Sequence, residues 1–318
     1  VIVRVEDDEG RVGLGGASPS RRYGETIDTI VAVLPALLGA VEEVDDPHNL
    51  QRTERAMDAT VHDNPAAKAA VSVALHDLAA RRAGLPLYRD WGLDPAASVP
   101  SSFTIAIDSL ERMAEKTADA VEAGYPILKV KLGTDHDEAI VRTVREQAPD
   151  ATLRVDANEA WTPREAVRMT RVLADHDVEF VEQPLPATHH AGLKHVYERS
   201  ALPIALDESC VTLADVPRVA DRADIANLKL MKCGGLREAR RMVHAARAHG
   251  LEVMLGCMIE SNASIAAAAH LAPLLDYADL DGSLLLAEDP YAGVPMPAGQ
   301  VDLAGLDRAG TGARPKGG

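Results

Sequence analysis

The sequence predicts a parallel α/β barrel preceded by a smaller unit made of a hairpin and helices. Three observations predict it. From Ser101 onward, eight short apolar strands alternate with helical segments of roughly 10–15 residues, at a period near 25 residues, the pattern of parallel strands joined by helical crossovers. No GxGxxG or P-loop pattern follows any of these strands, which disfavours the competing doubly wound open sheet. The composition, 47 % hydrophobic and 26 % charged over 318 residues, provides a sizeable core and excludes wholesale disorder. The length suits two domains, or one large barrel with an attachment.

The elements follow in order. Residues 1–17 read as a hairpin: the alternating run VIVRV, an acidic turn at Asp7–Gly10, then RVGLGGA. Ile27, Ile30, Val31, Leu34, Leu37, Leu38 and Val41 keep helical spacing. A second helix opens at Asn64-Pro65 and stops before Gly84. A Pro/Ala/Ser joint at 95–100 marks a boundary, so residues 1–97 form the first domain. The barrel takes residues 98–287. Its strands are SFTIAI (102–107), ILKVKL (127–132), TLRVDA (152–157), VEFVEQ (178–183), PIALDE (203–208), IANLKL (225–230), EVMLGC (252–257) and YADLDG (277–282). The Gly/Pro/Ala-rich segment 288–318 reads as a tail returning to the first domain.

Charge and cysteine usage narrow the class. Basic residues number 33 and acidic residues 49, a net charge of −16, which excludes nucleic acid or an anionic membrane as the main partner. Only eight of the 33 basic residues are lysine; either adaptation to salt or a high-GC genome accounts for that. No apolar run is long enough to span a bilayer, and no charged-then-apolar start marks a secretory signal. Three cysteines without a CxxC pattern point to a reducing cytoplasm. The chain opens with Val1 already in a strand, so the first domain is expected to be truncated at its start.

Buried parallel strands should be almost wholly apolar, yet several end in a charge. Lys131, Asp156, Glu182, Asp207 and Lys229 follow one another at intervals of 25, 26, 25 and 22 residues. Successive strands thus bring an ionisable group to one level, at the C-terminal rim where barrel enzymes work. Asp156, Glu182 and Asp207 come from three adjacent strands and repel one another unless a cation lies among them. An all-oxygen set favours a hard ion such as Mg²⁺; three structural acids capping loops are the alternative. Lys131 and Lys229 flank the triplet from opposite sides. A divalent cation beside them is expected to depress them toward neutral bases, and Lys129 points the same way as Lys131. Salt bridges closing the barrel top are the competing reading.

With these residues in place the chain resembles the enolase superfamily, specifically its muconate-lactonising subgroup. The resemblance rests on AAKAAVSVALHDLAARRAGLPLYRDWG, the KVK of barrel strand two, RVDANEAW, FVEQPL, ALDES, NLKLMKCGG and MLGCMIES. It implies a (β/α)7β TIM-type barrel with an N-terminal α+β capping domain. It also implies Mg²⁺ on Asp156, Glu182 and Asp207, Lys131 and Lys229 as the acid/base pair, Lys129 as their partner, and Asn158 as a group behind the first ligand. A His-Asp pair on strands seven and six would mark the mandelate-racemase subgroup; Lys229 and Cys257 stand there instead.

Within the subgroup the last strand discriminates. Asp279 and Asp281 face one way and resemble the pair with which dipeptide epimerases of the L-Ala-D/L-Glu type accept a substrate ammonium. The implied activity is Mg²⁺-dependent 1,1-proton transfer at the carbon α to the carboxylate of a dipeptide, through an enediolate. An o-succinylbenzoate synthase, an N-acylamino-acid racemase and a muconate-type cycloisomerase use the same lysine pair and are the alternatives. Cys257 and Met258, closing strand seven, are assigned to the substrate pocket, and Glu260 and Ser261, which follow that strand, are candidates to line it. Cys210 and Cys233 read as small rim fillers and His189-His190 as surface. The family's mobile cap loop precedes Val1, so the second residue of the dipeptide is not legible; Arg21 and Arg22 lie in a later cap loop, exposed or on an anion. A homo-oligomer is expected.

Overall fold

The computed structural model describes residues 1–317. β1 (Ile2–Glu6) and β2 (Val12–Gly16) pair antiparallel. At their turn the Asp7 carboxylate accepts from the N–H groups of Glu9 and Arg11, and Gly10 takes φ +77°. α1 (Ile27–Val44) starts on a Thr26–Thr29 capping box, which satisfies N–H groups a helix start leaves free. Of its apolar stripe, Ile30 and Leu37 are fully buried, whereas Ile27 and Val31 stand 62 % and 53 % exposed. The stripe is therefore wider than the face that packs. α2 (Leu50–Thr60) forms where the sequence reading placed no helix. It buries only Thr53 and Met57, too few apolar residues to show a period.

α3 (Pro65–Ala83) is the centre of the cap, with every residue from 66 to 80 buried. A Cβ on Gly13 or Gly15 of β2 would stand 2.0 Å from the Ala74 carbonyl oxygen or 1.9 Å from that of Ala70. Those two glycines let the alanine-rich helix reach backbone contact with the strand.

Eight strands then run parallel in chain order: β3 (Phe103–Ile105), β4 (Ile127–Lys131), β5 (Thr152–Asp156), β6 (Val178–Glu182), β7 (Ile204–Leu206), β8 (Ile225–Lys229), β9 (Glu252–Gly256) and β10 (Tyr277–Asp279). Each falls inside a predicted strand, and the barrel expectation holds. A parallel bridge between Ser101 and Ala278 brings the two edges together, and Ser102 N–H donates to the Ala278 carbonyl at 3.0 Å. Six crossovers carry a helix of two turns or more; between β7 and β8 only the single turn Val216–Val219 fits. Register sets Lys131 beside Asp156 and Asp156 beside Glu182, so these three charged ends are level.

Alternation along β5 divides the interior into layers. Arg154 and Asp156, two residues apart, point the same way. Arg154 is buried in the floor, 5.3 Å from the Phe180 ring centroid and 4.9 Å from that of Tyr277, with Glu179 as its ion partner at 2.7 Å. Ala205, Ile225 and Met254 complete this layer with Phe180. The floor is thereby plugged, and the polar groups collect at the other end. The C-terminal segment runs back to the cap, where buried Asp77 of α3 accepts from the N–H groups of Thr311 at 2.7 Å and Leu14 at 2.9 Å. Among the described residues no helix is long and apolar enough to cross a membrane.

Candidate active site

Every strand from β4 to β8, and β10, delivers an ionisable side chain to the barrel mouth. Lys129 is buried and central. Its Nζ lies 2.8 Å from Asp279 Oδ2, 2.8 Å from Glu182 Oε2 and 3.2 Å from Asp156 Oδ2. Lys131 Nζ donates to Asp156 Oδ2 at 2.7 Å and to Asn158 Oδ1 at 3.1 Å. The Asn158 N–H donates to the other Asp156 oxygen at 2.9 Å, with Asn158 at φ +43°, a conformation that asparagine tolerates better than most residues. Across the ring, Lys229 Nζ donates to Asp207 Oδ2 at 2.7 Å, and Asn227 Nδ2 donates to Glu182 Oε1 at 2.8 Å.

The electrostatics follow from burial and pairing. Burial raises Asp156, but Lys129 and Lys131 outweigh it and hold its carboxyl below the usual range. Burial likewise opposes ionisation of Asp207, and Lys229 with Lys232 overcomes it, leaving its carboxyl far below the usual range. Glu182 is pushed up by burial and by Asp156. Without the divalent cation on which the expected lysine depression depends, the carboxylates set the balance. Burial lowers Lys129 and Lys229, but the carboxylates against them win and hold both above the ordinary lysine value. Two acids are left over. Asp281 is pushed up to about 6 by burial and by Asp279, and Glu208 to about 7 by burial and by Asp207 and Asp156.

As the side chains stand, no three His, Cys, Asp or Glu groups among the described residues converge on one cation position, because ammonium groups lie between the carboxylates. The donor set nonetheless fits a hard divalent ion. All its atoms are oxygens, from three adjacent strands. Glu182 Oε2 is buried and accepts no hydrogen bond, although Lys129 Nζ lies 2.8 Å away as an ion partner. Four lysines meet Asp156, Glu182, Asp207 and Asp279, so Asp281 and Glu208 are the excess negative charge at the mouth.

The other expected residues divide. Asp279 is fully engaged, by Lys129 on one oxygen and by the Ser102 hydroxyl at 2.7 Å on the other. Asp281 accepts the Thr104 N–H at 2.7 Å on Oδ2. Cys257 and Met258 are half-buried on the loop after β9, against Gly282. Arg22 is not free for an anion: it forms a two-pronged pair with Glu159, Nη2 to Oε1 at 2.6 Å, which pins the cap loop to the barrel. Glu260 is buried on Met258 N–H and the Ser264 hydroxyl.

Sequence reasoning missed three groups. Lys232 reaches Asp207 from behind, Asn227 holds Glu182, and Tyr23 of the cap loop faces Asp207 and Lys229. Asn227 was detectable as an amide inside an apolar strand, two residues before Lys229 and so on its side. A cavity of about 800 Å³ between cap and barrel adjoins the mouth at Tyr23 and Lys232.

A capped parallel barrel with three carboxylates and two opposed lysines at its mouth defines a class of barrel enzymes. Residues 1–92 match the mandelate racemase / muconate lactonizing enzyme N-terminal domain, and residues 112–316 the enolase C-terminal domain-like family. The chain belongs to this enolase-superfamily group. It is 38 % identical to an L-Ala-D/L-Glu epimerase from Bacteroides thetaiotaomicron, over 97 % of this chain and 80 % of that protein. It is 37 % identical to a hydrophobic dipeptide epimerase from Enterococcus faecalis, over 92 % and 85 %. A crystal structure of the Enterococcus faecalis dipeptide epimerase complexed with Mg and L-Leu-L-Tyr superposes with a TM-score of 0.91 at 36 % identity, covering 98 % of this chain and 90 % of that one. The Cytophaga hutchinsonii dipeptide epimerase with Mg and D-Ala-L-Val gives 0.90 at 30 %, covering 99 % and 88 %.

Proposed function

We infer that the chain is an Mg²⁺-dependent dipeptide epimerase that inverts the carbon α to the substrate carboxylate. The observation that carries this is the placement of Lys131 on β4 and Lys229 on β8, four strands apart in a ring of eight, with the carboxylate triplet between them. Asp156, Glu182 and Asp207 would hold Mg²⁺, which when bound stabilises the negative charge that builds on the substrate carboxylate as the α-proton leaves. One lysine takes that proton and the other returns one on the opposite face, and the roles exchange for the other isomer. A divalent charge beside them counters the carboxylates that hold Lys229 protonated. Lys129 adds fixed positive charge, and Asn158 fixes Lys131 against Asp156.

Asp281, with one oxygen uncommitted and its carboxyl raised, accepts the dipeptide ammonium; Asp279 supports it from the Lys129 side. Substrates of the alternative activities bring no ammonium to this excess of acid. Cys257 and Met258 line the same side. We place the protein in the cytoplasm, in keeping with three free thiols. Self-association belongs to the same reading, and exposed Ile27 and Val31, one turn apart on α1, offer it a surface. The test is chiral analysis of dipeptide pairs incubated with enzyme and Mg²⁺. Interconversion of L,L and L,D forms that stops in EDTA is expected; interconversion that persists in excess EDTA, or none across a broad dipeptide set, overturns the reading.

A further inference from the structure

Lys232 takes no part in the proton transfers above, yet it is the most enclosed cation of the mouth. Its side chain has no exposed surface. Its Nζ donates to Asp207 Oδ1 at 2.5 Å and to three backbone carbonyls: Asp207 at 2.6 Å, Cys210 at 2.9 Å and Asn227 at 2.9 Å. An ammonium has three N–H bonds, and four acceptors surround this one, so none is left for substrate. The contacts tie the turn after β7 to the end of β8. Asn227, one of the tied residues, holds Glu182 by its side-chain amide at 2.8 Å. Gln183 braces the same turn from β6, accepting the N–H groups of Asp207 at 3.0 Å and Ser209 at 3.2 Å.

We propose that Lys232 is a positioning residue: a buried strut that fixes the Asp207 carboxylate, and through Asn227 that of Glu182, in the orientation a divalent cation requires. This rests on the Mg²⁺ reading above. A carboxylate offers about four lone-pair sites, so the Lys232 bond leaves Asp207 able to ligate. A lysine suits the role because one compact ammonium satisfies a carboxylate and several carbonyls together. Arginine's planar fork does not fit that arrangement.

The strut and bare charge make opposite predictions. By Coulomb repulsion alone, deleting a lysine beside a cation site tightens cation binding. Deleting a strut loosens it. Mg²⁺ is titrated calorimetrically, without substrate, into the wild type, Lys232→Met, Lys232→Arg and, as the charge control, Lys229→Ala. The strut predicts that Lys232→Met raises the Mg²⁺ dissociation constant by about tenfold or more, the usual scale for a group behind a ligand, that Lys232→Arg does not restore it, and that Lys229→Ala does not raise it. Unchanged or tighter binding in Lys232→Met overturns the proposal. Should neither Lys232 variant fold, hydrogen exchange of the wild-type amides at 207–211 decides. A turn held by the strut is already protected without metal and changes little when Mg²⁺ is added; slowing of tenfold or more on adding Mg²⁺ contradicts it. Absence of saturable Mg²⁺ binding to the wild type would refute the functional reading instead, while the exchange measurement would still report on the strut.

Discussion

The two sides of the barrel mouth hold the same ion pair in different surroundings. On the β4–β5 side, Lys131 meets Asp156 at 2.7 Å with its side chain 28 % exposed and only Asn158 as a second partner. On the β7–β8 side, Lys229 meets Asp207 at the same 2.7 Å but is 10 % exposed, and Asp207 is held from behind by Lys232. Equal distances therefore do not make equal sites. One lysine is partly solvated; the other is enclosed. On the proposed reading, the two bases that act on opposite faces of one carbon stand in unequal surroundings.

The largest effect is expected in catalysis. Lys131→Ala and Lys229→Ala should each lose epimerisation by about a thousandfold or more, within the range for removing an acid/base group. Their stabilities should differ. Each leaves a buried carboxylate with one lysine, Lys129 at 3.2 Å from Asp156 or Lys232 against Asp207, but solvent already reaches the Lys131 side chain, 28 % exposed, so the enclosed Lys229→Ala should cost more. Urea denaturation of the two variants checks this; a greater loss for Lys131→Ala would break the comparison.

A smaller effect is expected at the β10 edge. Acylating the substrate nitrogen removes the charge that Asp281 is read to accept, and a buried carboxylate without its cation costs a few kcal/mol, roughly a hundredfold or more in kcat/KM. Turnover of one active dipeptide and its N-acetyl form measures it, and Asp281→Asn should narrow the gap. Equal rates for both forms would move an N-acylamino-acid racemase ahead.

How much of this was legible beforehand divides along the same line. The eight strands and the level row of charges could be read because a period near 25 residues and a charge at each apolar strand end are properties of sequence spacing. That Lys131 and Lys229 flank the acids was readable too, but not the pairing: Lys131 is in register with Asp156, whereas Leu206 is in register with Ala226, so the Lys229–Asp207 contact does not follow from level strand ends. Lys232 was not, because it lies on a short turn behind β8 and its role depends on three backbone carbonyls that spacing does not reveal. Nor was the engagement of Asp279 by Lys129, a contact that reaches past β3 from β4 to β10. The cap helix at 50–60 was hidden by its polar composition.

The seam between cap, barrel and C-terminal segment contrasts with the mouth, for it buries two histidines without charge. Burial pushes His76 and His270 down to about 4, against about 6.5 in an unfolded chain. Above pH 6.5 neither state binds the extra protons. Between pH 6.5 and 4 the unfolded chain takes them up and the folded chain does not, so stability falls as pH falls, by at most about 1.4 kcal/mol per pH unit for each histidine, and levels off below 4. His270→Gln should flatten this slope in urea denaturation between pH 7 and 5; an unchanged slope would exclude His270 as a source. The smallest effect separates the mouth from the surface. Salt screens exposed charges more than buried ones, so with a net charge of −16 the melting temperature should rise in molar KCl through the surface. A flat response would leave genome composition as the reason for so few lysines.

The most direct test of two unequal lysines sharing one proton-transfer path is α-proton exchange in D₂O, with Mg²⁺, from the separate L,L and L,D forms of one active dipeptide. Each alanine variant should retain exchange for the isomer whose α-proton faces its remaining lysine, and the two variants should retain opposite isomers. Loss of exchange from both isomers in both variants, or exchange of the same isomer by both, would contradict the assignment of one lysine to each face.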